Sequence, residues 1–187
     1  KTLTKTETYK INIDYKTKPN EIEASGSAAI TDEKGLYFIN PLGEDPKKMP
    51  QIWTQGETEA SSCWFPTIDS PNEKTTQEIS ITVKDKYLTL SNGKMISSTK
   101  NADGTRTDYW KQDLKHAPYL FMMAVGEFDI TKDSWTRPDG RKMEVNYYTE
   151  PEYTPYAKAI FGKTPKMIQF FSDKLGVEYA WDKYNQI

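Results

Sequence analysis

Histidine and cysteine are nearly absent from this sequence, which contains one of each, His116 and Cys63. A catalytic zinc site needs about three protein ligands, usually His with Glu or Asp, so these residues supply no metal centre rich in nitrogen or sulfur. A single cysteine also excludes an intrachain disulfide framework. We expect His116 to lie at the start of a strand and Cys63 to be a small core residue. Neither is a candidate catalytic residue.

Long apolar runs, phosphate-binding loops and strong net charge are missing as well. No apolar stretch approaches the ~20 residues that cross a bilayer, and the scattered glycines match neither nucleotide-binding fingerprint. The net charge is −2, which offers little to neutralise a phosphate backbone. We therefore expect a soluble chain that binds no nucleic acid. Cytoplasmic, periplasmic and secreted locations all remain open, and so does the oligomeric state.

Aromatic residues, in contrast, are abundant: they make up 13% of the chain, with 12 Tyr and 5 Trp. Rings of this kind favour a β-rich core. Alternation of apolar and polar residues predicts strands at 9–15, 79–83 and 143–147. Shorter apolar stretches at 22–30 and 36–39 and a nearly continuous one at 119–128, read as a central strand, bring the total to about ten strands with short connections. The natural architecture is an antiparallel saddle-like β-sandwich.

Turn signals divide these strands. Asn92-Gly93 predicts a hairpin between 88–90 and 95–96, because both residues accept positive φ. Asn101 to Gly104 and Pro138-Asp139-Gly140 predict two further turns. Five prolines, at 41, 46, 50, 66 and 71, break the passage between them into ordered loop with short strand fragments.

The sequence pattern changes after Glu150. Thr154-Pro155 and Thr164-Pro165 each resemble an N-cap followed by proline at the first helical position. Apolar residues then follow helical spacing as far as Leu175, and Gly176 is a plausible C-cap. We expect two consecutive helices and a domain boundary near residue 150, and this helix pair needs a partner to pack against.

The segment Gln55-Gly56-Glu57 is the candidate binding site. On an extended backbone Gln55 and Glu57 would face the same way, and Gly56 between them would allow another chain to approach closely. Asp69, bracketed by two prolines, would cap or turn the backbone behind this loop. A carboxylate held in this way can bind an ammonium group. Spacing alone favours a simpler interpretation, in which Glu57 is a surface acid on a loop and Gln55 is a sheet-edge residue.

These residues carry a family resemblance. Thr54-Gln55-Gly56-Glu57, followed by Phe65-Pro66 with Asp69 and Pro71, resembles the zinc aminopeptidase N family (gluzincin aminopeptidases). The family pattern is Thr-Gln-x-Glu followed by Phe-Pro-x-x-Asp-x-Pro. Pro118-Tyr119-Leu120 through Phe128 is similar to the family's last long strand, and 171–184 is similar to the segment before its Gly-x-Met-Glu-Asn motif.

The resemblance implies that residues 1–149 are an N-terminal β-domain without its first strands. Residues 150–187 would begin a thermolysin-like catalytic domain and end before its zinc site. Glu57 would then bind the free α-amino group of a peptide, and Gln55 would line the pocket for the first side chains. The zinc, the metal ligands and the catalytic residues would belong to the full-length parent, an enzyme that removes N-terminal residues from peptides. The chain itself, packed on its own catalytic domain, would be inactive.

Two positions depart from the family pattern. Ser62 stands where the family often has Arg, and Thr67 stands where many members have Cys. These departures leave the preferred N-terminal residue open. The alternative function is that of a non-catalytic β-domain that binds protein partners, and the choice depends on whether the parent's catalytic domain is intact. A carbohydrate-binding β-sandwich is a third, weaker reading.

Overall fold

The computed structural model describes residues 7–21 and 34–187. The strands within these ranges are β1 (Leu36–Ile39), β2 (Gln51–Thr54), β3 (Thr75–Lys84), β4 (Leu88–Ser91), β5 (Lys94–Lys100), β6 (Thr105–His116), β7 (Met123–Gly126), β8 (Asp129–Thr136), β9 (Lys142–Thr149) and β10 (Lys183–Gln186). The helices are α1 (Ala157–Phe161) and α2 (Thr164–Leu175). Short 3₁₀ turns cover Pro19–Glu21, Ser61–Cys63, Pro118–Leu120 and Pro151–Tyr156.

The strands form three small sheets. Sheet 1 has the order β1-β2-β7-β4 and sheet 2 the order β3-β6-β5, both antiparallel throughout. Sheet 3 has the order β10-β9-β8, in which β10 pairs with β9 in parallel and β8 pairs with β9 antiparallel. The predicted mainly β, antiparallel fold followed by a short helical segment is confirmed.

One apolar core joins the three sheets. It includes Ile81 and Trp110 from sheet 2, Leu90 and Val125 from sheet 1, and Tyr148 from sheet 3. A second core lies between sheet 3 and the helices, where Ala157 and Ile168 pack on inward-facing residues of β8 and β9. Burying a side chain as large as that of Ile168 contributes roughly 1.5–3 kcal/mol relative to leaving it exposed.

A buried carboxylate ties sheet 1 to sheet 2. The side chain of Asp108 in β6 is 1% exposed and forms an ion pair with Arg106 Nε at 2.9 Å. It also accepts hydrogen bonds from Ser98 of β5, at 2.6 Å, and from Thr89 of β4 in the other sheet, at 2.7 Å. The indole N–H of Trp110 donates to the same Thr89 hydroxyl at 3.0 Å. Polar groups therefore bridge the two sheets where strand pairing does not.

The Asn92-Gly93 turn forms, but the predicted hairpin is wrong. β4 pairs with β7 in sheet 1, whereas β5 pairs with β6 in sheet 2. The side chain of Asn92 accepts from the Met122 N–H at 2.7 Å and donates to the Leu120 carbonyl at 2.8 Å. These contacts hold the turn against the chain that leads into β7, so the two strands separate instead of pairing.

The edge strand β5 is exposed along its whole length. A lysine stands at each end, Lys94 and Lys100, and the register with β6 shifts between Met95 and Ser97. The hairpin from β5 to β6 uses the predicted turn at 101–104, and the hairpin from β8 to β9 uses the predicted turn at 138–140.

The two helices occur where they were predicted, but their caps differ. Thr154 lies inside a 3₁₀ turn and donates to Asp129 at 2.9 Å. Thr164 is the first residue of α2, and its hydroxyl donates to the Phe161 carbonyl at 2.7 Å instead of capping the helix. Gly176 ends α2 in the left-handed conformation, with φ 66°, as predicted. No helix within the described ranges is long and apolar enough to cross a membrane.

Two predicted strands differ from the structure, and a third lies outside the described residues. The predicted strand at 9–15 is absent: residues 7–18 have no strand, and the alternating apolar side chains of Tyr9 to Tyr15 are exposed. An alternating pattern makes a strand only where one face finds cover. The prediction for 22–30 lies outside the described residues. The apolar run at 119–128 forms a 3₁₀ turn followed by the short β7, which is nevertheless an interior strand of its sheet.

Replacing the buried carboxylate tests the bridge between the sheets. Burial opposes ionisation of Asp108, but hydrogen bonds from Arg106, Ser98 and Thr89 outweigh it and lower the pKa of this carboxyl. We expect Asp108→Asn to reduce the free energy of unfolding by about 3 kcal/mol at pH 7, because Arg106 loses its buried partner. Urea denaturation measures this change.

The loss in free energy of unfolding caused by Asp108→Asn should become smaller in acid. A carboxyl group whose pKa is lower in the folded chain than in the unfolded chain stabilises the fold above the unfolded pKa, near 4. This stabilisation is lost as the pH falls below that value towards the folded pKa. The difference in free energy of unfolding between wild type and Asp108→Asn should therefore be constant from pH 7 to about 5 and decrease below about pH 4. Ser80→Ala, on the exposed face of sheet 2, is the control and should change stability by less than about 0.5 kcal/mol. A difference in free energy of unfolding that increased as the pH fell would contradict this interpretation.

Candidate functional site

The loop that carries Gln55, Gly56 and Glu57 begins where β2 ends. The N–H of Gln55 still donates to the Gly35 carbonyl at 3.0 Å, which keeps this residue beside β1. The chain then turns, and the Ala60 N–H donates back to the Gly56 carbonyl at 3.0 Å. Glu57 therefore lies at the start of a turn and not on an extended strand, so the premise that Gln55 and Glu57 share a strand face is wrong.

Gly56 is buried because another part of the chain passes directly behind it. A Cβ at this position would lie 2.5 Å from the Tyr119 carbonyl oxygen and 2.7 Å from Ser61 Oγ. The Ser61 hydroxyl donates to the Pro118 carbonyl at 2.8 Å, which fixes the same approach from the other side. A close approach at Gly56 is present, but the approaching segment is the part of this same chain that leads into β7, and not another chain as predicted.

Asp69 supports the loop from behind. One of its carboxylate oxygens accepts the Ser62 N–H at 2.8 Å, at the start of the 3₁₀ turn Ser61–Cys63. A carboxylate at the first turn of a helix satisfies a backbone N–H that has no partner within the helix. The predicted capping role of Asp69 is therefore confirmed.

The side chains of the two candidate residues differ in their surroundings. Gln55 is half-buried, and its carbonyl oxygen accepts the Glu57 N–H at 3.3 Å. Glu57 is exposed, and within residues 7–21 and 34–187 no group donates a hydrogen bond to its carboxylate. Gln55 thus supports the backbone of Glu57, and the carboxylate remains available to a ligand that carries N–H donors.

His116 and Cys63 lie apart from this chemistry. His116 is buried and ends β6, instead of beginning a strand as expected, and its ring stacks on Phe121 with centroids 4.5 Å apart. Burial lowers the pKa of His116, although a backbone contact with Leu114 opposes this. Cys63 is half-buried in the 3₁₀ turn. Among the described residues no group of three or more His, Cys, Asp or Glu side chains could hold a metal ion.

A cavity of about 290 Å³ lies between the turn at 91–93 and the segment at 179–185. Lys183 contributes to its lining, and burial lowers the pKa of this amine to about 8 against the opposing effects of Glu144 and Asp182. None of the sequence patterns marks Lys183 as a site residue. The one available signal is its position between Trp181 and Tyr184, since aromatic neighbours are typical of a packed segment.

The cavity and the Glu57 loop share a wall. Leu120 lines the cavity, and the carbonyl of the preceding residue, Tyr119, is the group that lies against Gly56. Asn92, also in the cavity lining, donates to the Leu120 carbonyl at 2.8 Å. The short turn at 118–120 therefore lies between Gly56 and the cavity.

Comparison with known proteins gives a consistent family assignment. The Peptidase M1 N-terminal domain matches residues 1–120. Aminopeptidase N of Haemophilus influenzae is 28% identical over 135 residues, covering 71% of this chain and 16% of that protein. Glutamyl aminopeptidase of Rattus norvegicus is 30% identical over 152 residues, covering 81% of this chain and 16% of that protein.

A relative with a different name also matches. Transcription initiation factor TFIID subunit 2 of Danio rerio is 23% identical over 156 residues, covering 82% of this chain and 13% of that protein. Among solved structures, aminopeptidase A of Legionella pneumophila in complex with aspartic acid superposes with a TM-score of 0.70 at 21% identity. That superposition covers 81% of this chain and 17% of the other, and it supports the fold. The chain thus spans less than a fifth of the length of these relatives.

Adding a methyl group at Gly56 tests the packing behind the loop. We expect Gly56→Ala to destabilise the chain by about 1–3 kcal/mol, because the opposing Tyr119 carbonyl belongs to the backbone and has little room to move. Thermal or urea unfolding measures the loss. Glu59→Ala, at an exposed position in the same turn, should stay within about 0.5 kcal/mol of wild type. Equal stability of Gly56→Ala and wild type would mean that the loop does not pack on Tyr119.

Proposed function

The chain belongs to the Peptidase M1 N-terminal domain family, and we propose that it is the part of a zinc-dependent aminopeptidase that recognises the substrate's N-terminus. In this proposal the carboxylate of Glu57 binds the free α-ammonium group of a peptide. Gln55 holds the Glu57 backbone and lines the pocket for the first side chains. The observation that carries the proposal is an exposed carboxylate, without a donor among the described residues, on a loop fixed by Gly56 and Asp69.

The physical chemistry of this contact suits an exopeptidase. A carboxylate that accepts hydrogen bonds from an ammonium group forms a charge-assisted pair, stronger than a neutral hydrogen bond. The contact requires an unblocked N-terminus, and it fixes the distance from that terminus to the bond that is cleaved. Because the loop is already fixed by its backbone contacts, little ordering would be needed when the peptide binds.

The described residues do not form a site for the zinc of such an enzyme. We propose that the metal is held by another part of the parent protein, where it would supply an activated water. The contribution of this chain is then restricted to binding and orienting the peptide.

The outer surface of the helices supports a larger parent. Met167 and Phe170, three residues apart on α2, are both exposed. Ile168 is buried against sheet 3 and, two positions before Phe170, lies about 200° away from it around the helix. A helix with apolar residues on two faces is typical of a helix that is covered on both. We propose that the chain is divided into a β-domain, 1–149, and the start of a catalytic domain, 150–187, whose remainder packs on this face.

A second candidate function has its own support. One group of relatives is named as a subunit of a transcription initiation factor and not as a peptidase. The alternative is therefore a β-domain that binds protein partners without catalysis. An ordered set of zinc ligands in the parent sequence and measurable aminopeptidase activity would favour the enzyme, and the lack of both would favour the binding module.

Neutralising Glu57 in the parent protein tests the proposed amine contact. We expect Glu57→Gln to lower kcat/KM for peptides about 10- to 100-fold, because a hydrogen bond to a charged group contributes roughly 1.5–3 kcal/mol. Steady-state kinetics on an aminoacyl reporter measure the loss. Glu59→Gln is the matched control, an exposed acid two residues away, and should change kcat/KM less than about twofold. Normal turnover by Glu57→Gln would rule out the amine contact.

The isolated chain should bind no stoichiometric zinc and hydrolyse no aminoacyl reporter. The reason is that the described residues offer no metal-binding cluster. Metal analysis after dialysis against zinc, together with a reporter assay at high protein concentration, checks both points. Hydrolysis that copurified with the chain and persisted after repeated purification would overturn this expectation.

A further inference from the structure

The ammonium group of Lys183 lies in a site made largely of backbone. Its Nζ donates to the Ser91 carbonyl at 2.6 Å and also to the Gly93 carbonyl. The Trp110 ring lies on a further side, with its centroid 4.4 Å from Nζ. Carbonyl oxygens and the face of an indole are both groups that attract a primary ammonium ion. The three groups together form what we call the ammonium cage.

The tight turn at 91–93 explains why both carbonyls reach one nitrogen. Gly93 has φ 72°, and a Cβ there would lie 1.9 Å from the Lys111 carbonyl oxygen. Only glycine therefore fits against β6 at this point. The cage is thus shaped by the close packing of this turn on β6.

A second cation binds the same segment from the opposite side. Arg137 donates to the carbonyls of Tyr179, at 2.9 Å, and Trp181, at 2.6 Å, and it pairs with Glu178. Lys183 reaches from this segment towards sheets 1 and 2, while Arg137 reaches towards it from β8–β9. The segment at 178–183 is therefore held by carbonyl contacts in both directions.

A continuous series of contacts leads from the cage to Glu57. Asn92 lies between the two cage carbonyls, and its side chain bonds to the Leu120 carbonyl and the Met122 N–H. Tyr119 directly precedes Leu120, and its carbonyl lies against Gly56. Glu57 follows Gly56 directly. A displacement of the turn at 91–93 would be transmitted to the Glu57 loop through these backbone contacts.

We infer that the carbonyls of Ser91 and Gly93 and the ring of Trp110 form a binding site for a primary alkylammonium group, occupied in this chain by Lys183. We further infer that Lys183 is a positioning residue for Glu57, acting through Asn92 and the turn at 118–120. The first inference concerns this chain alone. The second rests on the proposed function.

Opening the cage tests the first inference. Lys183→Ala removes the alkyl stem and the ammonium group, leaving room for n-propylammonium. At pH 7, below the pKa of about 8 for Lys183, n-propylammonium chloride should raise the Tm of the Lys183→Ala chain but not that of wild type. Calorimetric titration should show at least fivefold tighter binding to the variant. Sodium chloride at equal ionic strength and 1-propanol, a neutral analogue, should raise neither Tm.

A second variant keeps the test decisive if Lys183→Ala fails to fold. Lys183→Met retains most of the stem without the charge, and it should speed amide hydrogen exchange across 177–187 at least tenfold. Lys94→Met removes only the exposed ion pair with Asp182 at 2.8 Å and should change exchange less than twofold. Equal exchange in Lys183→Met and wild type, or equal binding of n-propylammonium by folded Lys183→Ala and wild type, would refute the cage.

The parent enzyme tests the positioning role separately. Lys183→Ala should raise KM for peptides severalfold with a smaller change in kcat, and n-propylammonium should restore much of the loss. In a Glu57→Gln background the same substitution should change KM less than twofold, because the contact that it positions is already lost. If n-propylammonium bound the cage of Lys183→Ala but the KM for peptides equalled that of wild type, the positioning role would be refuted and the cage would not. If Glu57→Gln itself had no effect, the proposed function would fail while the cage test remained valid.

Discussion

The buried carboxylate of Asp108 connects two sheets that share no hydrogen-bonded strand pair. It takes hydrogen bonds from Thr89 in sheet 1 and from Ser98 and Arg106 in sheet 2. The apolar core behind it provides most of the burial, but apolar contacts are not directional. A fully satisfied polar cluster fixes the relative position of the sheets more strictly than packing alone. The turn at 91–93 follows directly from the strand that Thr89 belongs to, so this connection lies next to the cage.

Much of the fold was predictable from local patterns. Period-two alternation predicted β3 and β9, and turn residues predicted the turns at 101–104 and 138–140. These predictions succeeded because each signal depends on neighbouring residues alone. The failures involve distant parts of the chain. The Asn92-Gly93 turn was correct, but the bonds of Asn92 to the segment before β7 decided where the flanking strands go. Thr164 likewise reaches the Phe161 carbonyl and Gln186, twenty-two residues later, instead of capping α2.

The candidate site shows the same division. Gly56 and Asp69 were predictable because one requires close approach and the other caps a short turn, and both are local demands on residue type. The direction of Gln55 was not, since the chain leaves β2 after Thr54 and no residue pattern marks that point. Lys183 was beyond prediction, because its partners are backbone carbonyls about ninety positions away. Any residue type can offer a carbonyl, so such a site leaves little trace in the sequence.

The exposed strand β5 has a consequence for how copies of this chain meet one another. An open edge offers unpaired backbone groups on which a neighbouring molecule can extend the sheet. Here the register shifts within the strand, and a positive charge stands at each end, at Lys94 and Lys100. Antiparallel addition of a second β5 would place lysine opposite lysine and set two irregular edges against each other. The strand thus discourages its own self-association.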